Sequence, residues 1–155
     1  MAGAGGVSLN HIARETADVD RLAGFYQEIL GFERIETPKF GEFEVVWLRI
    51  PSSTFSLHLI ERNPDSRLPE GPWTKAGPSV VADPRALPRG HHLSFAVPDF
   101  GSFVRTLKAS PFSHSIEKGI EYFEKTQPDG KTKQVFFFDP DGNGLEVGSW
   151  GAPGK

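Results

Sequence analysis

HIARETADVDRLAGFYQEIL, residues 11–30, decides the reading of the chain, because it returns in altered form as HLSFAVPDFGSFVRTLKASP at residues 92–111, 81 positions on. Self-similarity at a fixed offset marks a duplicated structural unit. In both copies a histidine stands seven residues before an aspartate: His11 before Asp18, and His92 before Asp99. Apolar positions correspond as well, Ile12 with Leu93, Leu22 with Phe103, Ala23 with Val104 and Tyr26 with Leu107. Asp18 suits the N-cap of a helix, where a carboxylate accepts from an otherwise unpaired amide of the first turn. Leu22, Phe25, Tyr26, Ile29 and Leu30 then recur at helical spacing and make one apolar face, and Gly31 ends the helix.

Working outward, residues 8–16 read as an extended strand before the first helix, and three strands follow it at about 32–40, 43–50 and 54–61. The second half repeats the order: a strand at 90–97, a helix from 99 to about 109, then strands near 116–125, 132–138 and 144–149. The Asp-Gly pairs Asp129-Gly130 and Asp141-Gly142 are expected hairpin turns, since glycine tolerates positive φ there. The prediction is an α+β fold of paired βαβββ modules in one domain, residues 7–149. Module one spans 7–61, a linker 62–89, module two 90–149, and a tail 150–155. The linker, RNPDSRLPEGPWTKAGPSVVADPRALPR, is either a plain connection or a flap over a site with Trp73 as its anchor.

Composition narrows the function. The chain has 155 residues, 37% of them hydrophobic and 24% charged, enough to bury about two thirds of its unfolded surface without covalent staples. A net charge of -3 argues against a phosphate-binding footprint, so no nucleic acid is expected. No apolar run approaches the roughly 20 residues of a membrane helix. The start, MAGAGGVSLNH, has no basic-then-apolar leader. Cysteine is absent, which excludes thiol catalysis, thiolate metal sites and disulfides and favours a cytoplasmic setting.

Three stretches carry a specific resemblance. LNHIARETADVDRLAGFYQEILGFE resembles the first strand and helix of a vicinal-oxygen-chelate module, HHLSFAVPD the opening of a second module, and FFFDPDGNGLEV its closing hairpin. In this order they resemble the superfamily of glyoxalase I, fosfomycin-resistance proteins and extradiol dioxygenases, over about residues 8 to 149. The resemblance implies curved sheets around a divalent metal ion, whether zinc, nickel, manganese, magnesium or iron. It implies metal ligands at His11, His92 and Glu146, and His58 within FSLHLIE at the fourth position. His58 is left open between a fourth ligand, a base behind the ligands and a group lining the pocket. His91 is expected on the opposite side from His92, and His114 on the surface. Strand alternation agrees: each candidate has a small residue on its own face, Ala13 beside His11, Ser56 beside His58, Ser94 beside His92, Gly144 and Gly148 beside Glu146, as a ligand-lined cavity needs.

The implied function is a glyoxalase I-like metal-dependent enzyme acting on a small oxygen-bearing metabolite. Its default reaction is that of lactoylglutathione lyase, with glutathione as co-substrate and Glu146 as ligand and catalytic base. Two features depart from it. The fourth ligand position holds His58 where glyoxalase I has a glutamate, and Glu15 stands where an arginine grips glutathione's carboxylate, with Arg14 and Arg62 nearby but out of place. Weak or absent glyoxalase activity is therefore expected. The alternatives are extradiol-type dioxygenation, thiol transfer, or non-catalytic binding of a small molecule. The resemblance also implies a homodimer, with the site formed within one chain or across two.

Overall fold

The computed structural model describes residues 5–68, 83–110 and 120–151. Trp73 and His114 lie outside the described residues. The chain divides into two compact units, Met1–Arg67 and Leu68–Lys155, each with the strand, helix and three-strand order expected from the repeat.

In the first unit β1 (His11–Thr16) leads to α1 (Val19–Leu30), then β2 (Glu33–Ile35), β3 (Val45–Arg49) and β4 (Ser56–Glu61). The sheet order is β1-β4-β3-β2. β1 runs parallel to β4: α1 carries the chain across to β2, and the two antiparallel pairs β2–β3 and β3–β4 bring β4 back to the direction of β1. Asp18 Oδ1 accepts from the Arg21 amide at 2.9 Å, and Gly31 closes the helix at a left-handed φ of 70°. Leu22, Phe25, Tyr26 and Ile29 are buried on α1, and Leu48, Leu57 and Leu59 on the sheet beneath it. Each such side chain contributes about 1.5–3 kcal/mol of transfer free energy. β2 is shorter than the predicted 32–40. Thr37 Oγ1 accepts from the Trp47 amide at 3.0 Å in place of a backbone carbonyl, and Pro38 has no N–H to continue the ladder.

The second unit begins, among the described residues, with a 3-10 helix at Pro84–Arg89, followed by β5 (Leu93–Ala96), α2 (Phe100–Ala109), β6 (Tyr122–Thr126), β7 (Lys133–Phe138) and β8 (Gly144–Gly148). Its sheet order, β5-β8-β7-β6, repeats the first, with β5 parallel to β8. Asp99 caps α2 through the Ser102 amide at 2.8 Å. In DPDGNG, Asp139 Oδ1 accepts from the amides of Asp141 and Asn143, both at 2.9 Å, and Gly142 takes a φ of 82°. That turn sets the register of β8. Two boundaries differ from expectation. Residues 84–89, read as linker, fold onto β7 and bury Pro84 and Leu87. The first strand starts at Leu93 rather than at 90, because the Gly90 amide is spent on the Leu87 carbonyl at 2.9 Å. His91 and His92 thus form a short link from helix to strand.

Among the described residues no helix is long and apolar enough to cross a membrane.

Candidate metal centre

The four candidate side chains fall two to a unit: His11 and His58 in the first, His92 and Glu146 in the second. Among the described residues no group of three or more His, Asp or Glu side chains stands gathered as a ready metal cluster.

In the second unit, strand alternation sends Leu145 and Val147, both fully buried, to the α2 side of β8 and leaves Glu146 on the other face. Glu146 is itself only 4% exposed. Its Oε1 accepts from Gln134 Nε2 at 2.7 Å, and its Oε2 lies 2.9 Å from His92 Nε2. The other nitrogen of His92, Nδ1, is 3.0 Å from the Gly90 carbonyl oxygen. A carbonyl only accepts, so Nδ1 carries a proton, and Nε2 meets the carboxylate either as a second N–H donor or through its lone pair. Two lone-pair atoms at that distance require a positive centre with them, a proton or a metal ion. The Phe136 ring stands perpendicular to the His92 imidazole, with ring centroids 5.6 Å apart.

Such an arrangement fits a divalent ion by the chemistry of its donors. Imidazole nitrogen and carboxylate oxygen suit zinc, nickel, manganese and iron. Fixing the distal nitrogen and the second carboxylate oxygen by hydrogen bonds orients both groups for ligation. Gln134 was not singled out from the sequence. The available signal was a polar residue at two-residue spacing with Phe136 and Phe138, on Glu146's face of the neighbouring strand.

The glycines beside Glu146 make room for close neighbours. A Cβ at Gly144 would collide with the His91 carbonyl oxygen and the Leu87 side chain, so that glycine lets the His91–His92 link close down on β8. The space over Gly148 is filled by the Trp150 indole. Small residues here admit close packing around the ligand pair.

In the first unit His58 lies between two rings. His11 stacks on it at 4.1 Å with planes 9° apart, and Trp47, its register neighbour on β3, at 4.2 Å and 5°. Ser56 Oγ meets His58 Nε2 at 2.9 Å, and Asn10 Oδ1 meets His11 Nδ1 at 2.8 Å, leaving His11 Nε2 for another partner. Burial first, and then the neighbouring His11, lower the pKa of His58 below its ordinary value. Nitrogen lone pairs lie in the ring plane. The two stacked imidazoles therefore aim in parallel, and joint ligation of one ion by His11 and His58 requires one ring to turn. Trp47, Ser56 and Asn10 were not foreseen as neighbours, since cross-strand partners depend on register. Glu15 is exposed on the same face of β1 as His11, whereas Arg14 lies on the opposite face level with Leu59. No arginine of β1 thus stands on the His11 face.

Comparison with known proteins supplies the family context. Residues 8–147 match the model of the Glyoxalase/Bleomycin resistance protein/Dioxygenase superfamily. The chain is 29% identical over 142 residues to "Glyoxylase I 4" of Arabidopsis thaliana, covering 90% of this chain and 69% of that protein. It is 29% identical over 148 residues to a lactoylglutathione lyase of Schizosaccharomyces pombe, covering 90% of this chain but 46% of that protein. Among solved structures, the lactoylglutathione lyase of Agrobacterium tumefaciens aligns with a TM-score of 0.56 at 22% identity, covering 91% of this chain and 92% of that one. TnmS3, an antibiotic-binding protein from Streptomyces, aligns at 0.61 and 18%, covering 94% and 97%. A mutant of the fosfomycin resistance protein FosX from Listeria monocytogenes, complexed with Mn(II) and a dihydroxypropylphosphonic acid, aligns at 0.59 and 15%, covering 93% and 90%. At these identities the structural likeness speaks for the fold.

Proposed function

The chain belongs to the Glyoxalase/Bleomycin resistance protein/Dioxygenase superfamily, and from that premise we propose that it is a metal-dependent enzyme acting on a small oxygen-bearing metabolite. His11, His92 and Glu146 are the ligands of a divalent ion, with His58 as a fourth once its ring turns. The observation that carries the reading is the pair formed by the half-buried His92 and the buried Glu146, with Nε2 and Oε2 2.9 Å apart, each steadied from behind by Gly90 and Gln134. Mn(II) in the FosX mutant supports a metal in this chain as well.

Bound there, a divalent ion supplies Lewis acidity towards two adjacent substrate oxygens and so stabilises the negative charge that develops on them. The remaining chemistry belongs to the protein. In the default reaction, isomerisation of a methylglyoxal–glutathione hemithioacetal, the Glu146 carboxylate takes the proton from the carbon bearing sulfur. It returns a proton to the adjacent carbon, leaving the thioester lactoylglutathione. Gln134 orients that carboxylate by donating to its Oε1. Glutathione is disfavoured by Glu15, exposed on the His11 face. Replacing a charge-assisted bond by a repulsion at an open site costs roughly 2–4 kcal/mol, about one and a half to three decades of catalytic efficiency. We therefore place the native substrate outside glutathione conjugates and the glyoxalase rate near background.

The test is direct. Purified protein should retain zinc, nickel or manganese at about one ion per chain. His11→Ala, His92→Ala and Glu146→Ala should each lower affinity by orders of magnitude, while His91→Ala binds normally. Unchanged metal content in His92→Ala would sink the assignment. Efficient thioester formation, abolished in Glu146→Gln, would show that Glu15 is tolerated and that the substrate is the glutathione conjugate. The proposal includes a homodimer, which light scattering at micromolar concentration would reveal. One observation favours a second reading, non-catalytic capture of a small molecule: the parallel stack of His11, His58 and Trp47 is a flat aromatic surface rather than a convergent ligand set. Metal-free protein on purification, with no uptake on addition, would select it.

A further inference from the structure

β8 ends at Gly148, yet Trp150 remains part of the face that carries Glu146. Its indole folds back over Gly148: a Cβ at that glycine would stand 2.6 Å from Nε1, 2.9 Å from Cε2 and 3.1 Å from Cδ1 of the ring. Nε1 donates to Ser94 Oγ at 3.1 Å, and Ser94 is the register partner of Glu146 across the β5–β8 pair. Gln134, which holds Glu146, is in turn the register partner of Gly148. The indole therefore spans two strands beside the carboxylate, with one face seated on the glycine and the ring still partly open to solvent.

Core packing does not explain this position. Leu145 and Val147 are completely buried on the other side of the sheet, beside their register partners Phe137 and Val135. A ring kept only for stability would be expected to enter that core. Instead it is pinned by a hydrogen bond on the polar face, with a glycine making room for it.

We infer that Trp150 is a specificity-determining residue, the wall on which a flat apolar group of the substrate, aromatic or conjugated, stacks while that substrate's oxygens reach Glu146. The inference rests on the reading of Glu146 as a metal ligand. An indole offers a large face and few torsions to immobilise, so stacking discriminates a planar group from a methyl by about tenfold.

The probes are benzohydroxamate and acetohydroxamate, which share one vicinal-oxygen chelating unit and differ in a phenyl against a methyl. Zinc-loaded wild type should bind benzohydroxamate about tenfold better, after normalising to the ratio for free zinc. Trp150→Ala should reduce the preference to about twofold or less, with zinc and acetohydroxamate affinities unchanged. Gly148→Ala keeps the indole but removes its seat, and should lose the preference likewise; Trp150→Phe should keep part of it. In metal-free protein, benzohydroxamate but not acetohydroxamate should shift the Trp150 indole N–H resonance. A preference that survives in both Trp150→Ala and Gly148→Ala, or an indole resonance that benzohydroxamate leaves unmoved, overturns the inference. Failure to hold zinc overturns the metal centre instead, and the metal-free titration then still decides the role of Trp150.

Discussion

Replacing Gly144 by alanine tests whether packing beneath the His91–His92 link positions the ligand pair. Gly144 has no positive φ, so alanine meets no backbone strain there, and the effect is purely one of space. The added methyl would overlap the His91 carbonyl oxygen and the Leu87 side chain, and would lie 3.3 Å from His92 Cβ. Leu87 can change rotamer, but the carbonyl can move only with the link itself. Overpacking of a well-filled site costs about 1–3 kcal/mol, and a backbone obstacle places this case at about 2–3. At about 2–4 °C per kcal/mol for a chain of this size, the melting temperature should fall by about 5–10 °C. A displaced link also draws Nε2 away from the Glu146 carboxylate, now 2.9 Å distant, so zinc affinity should drop about tenfold. The control is Gly90→Ala, whose Cβ would meet only ordinary contacts, the nearest at 3.6 Å, and which should stay within about 0.5 kcal/mol of wild type. Thermal and urea unfolding, with a zinc titration on the same samples, measure both effects. A Gly144→Ala protein that melts within a degree of wild type and holds zinc equally well refutes the packing account.

Gln134→Leu leaves a carboxylate oxygen of a residue 4% exposed without its donor. It should cost about 1.5–3 kcal/mol in urea unfolding and about 10–100-fold in zinc affinity, and equal values for variant and wild type would remove Gln134 from the centre. For His58, burial and the adjacent His11 hold the pKa below the ordinary 6.5, so below about pH 6.5 the unfolded chain takes up a proton more readily than the folded one. Its contribution to stability is complete above that pH and is lost as pH falls towards the folded value; His58→Gln should flatten this part of the urea-midpoint profile, and an unchanged slope would contradict it. Asp18→Ala and Asp99→Ala each remove an N-cap acceptor and should cost about 1 kcal/mol in thermal unfolding; no loss would mean the caps are replaced by water.

The repeat, the two helices, the Asp18 cap, the Gly31 stop and the strand–helix–three-strand order were all legible in the chain, because each depends on near neighbours. Cap geometry, helical spacing and two-residue alternation are set within a few residues of backbone. The same local rule puts Glu146 on the face away from Leu145 and Val147. Strand ends were less legible. β2 stops early because Thr37 takes the Trp47 amide, and β5 starts late because Gly90 first serves the 3-10 helix. Both depend on a partner that sequence distance conceals.

What tertiary structure alone decided is which side chains stand behind the candidate ligands. Gln134 reaches Glu146 through the register of β7 on β8, and Trp47 reaches His58 through that of β3 on β4. Trp150 reaches Ser94 across 56 residues of chain. Alternation says which face a residue occupies, but register is a property of two strands and their turn, and a shift of one residue would exchange every partner. The glycines show the same division. Their small size beside Glu146 is plain in the sequence, whereas their use, seating Leu87 and the His91 carbonyl over Gly144 and the indole over Gly148, follows from atoms brought together only by the folded sheet.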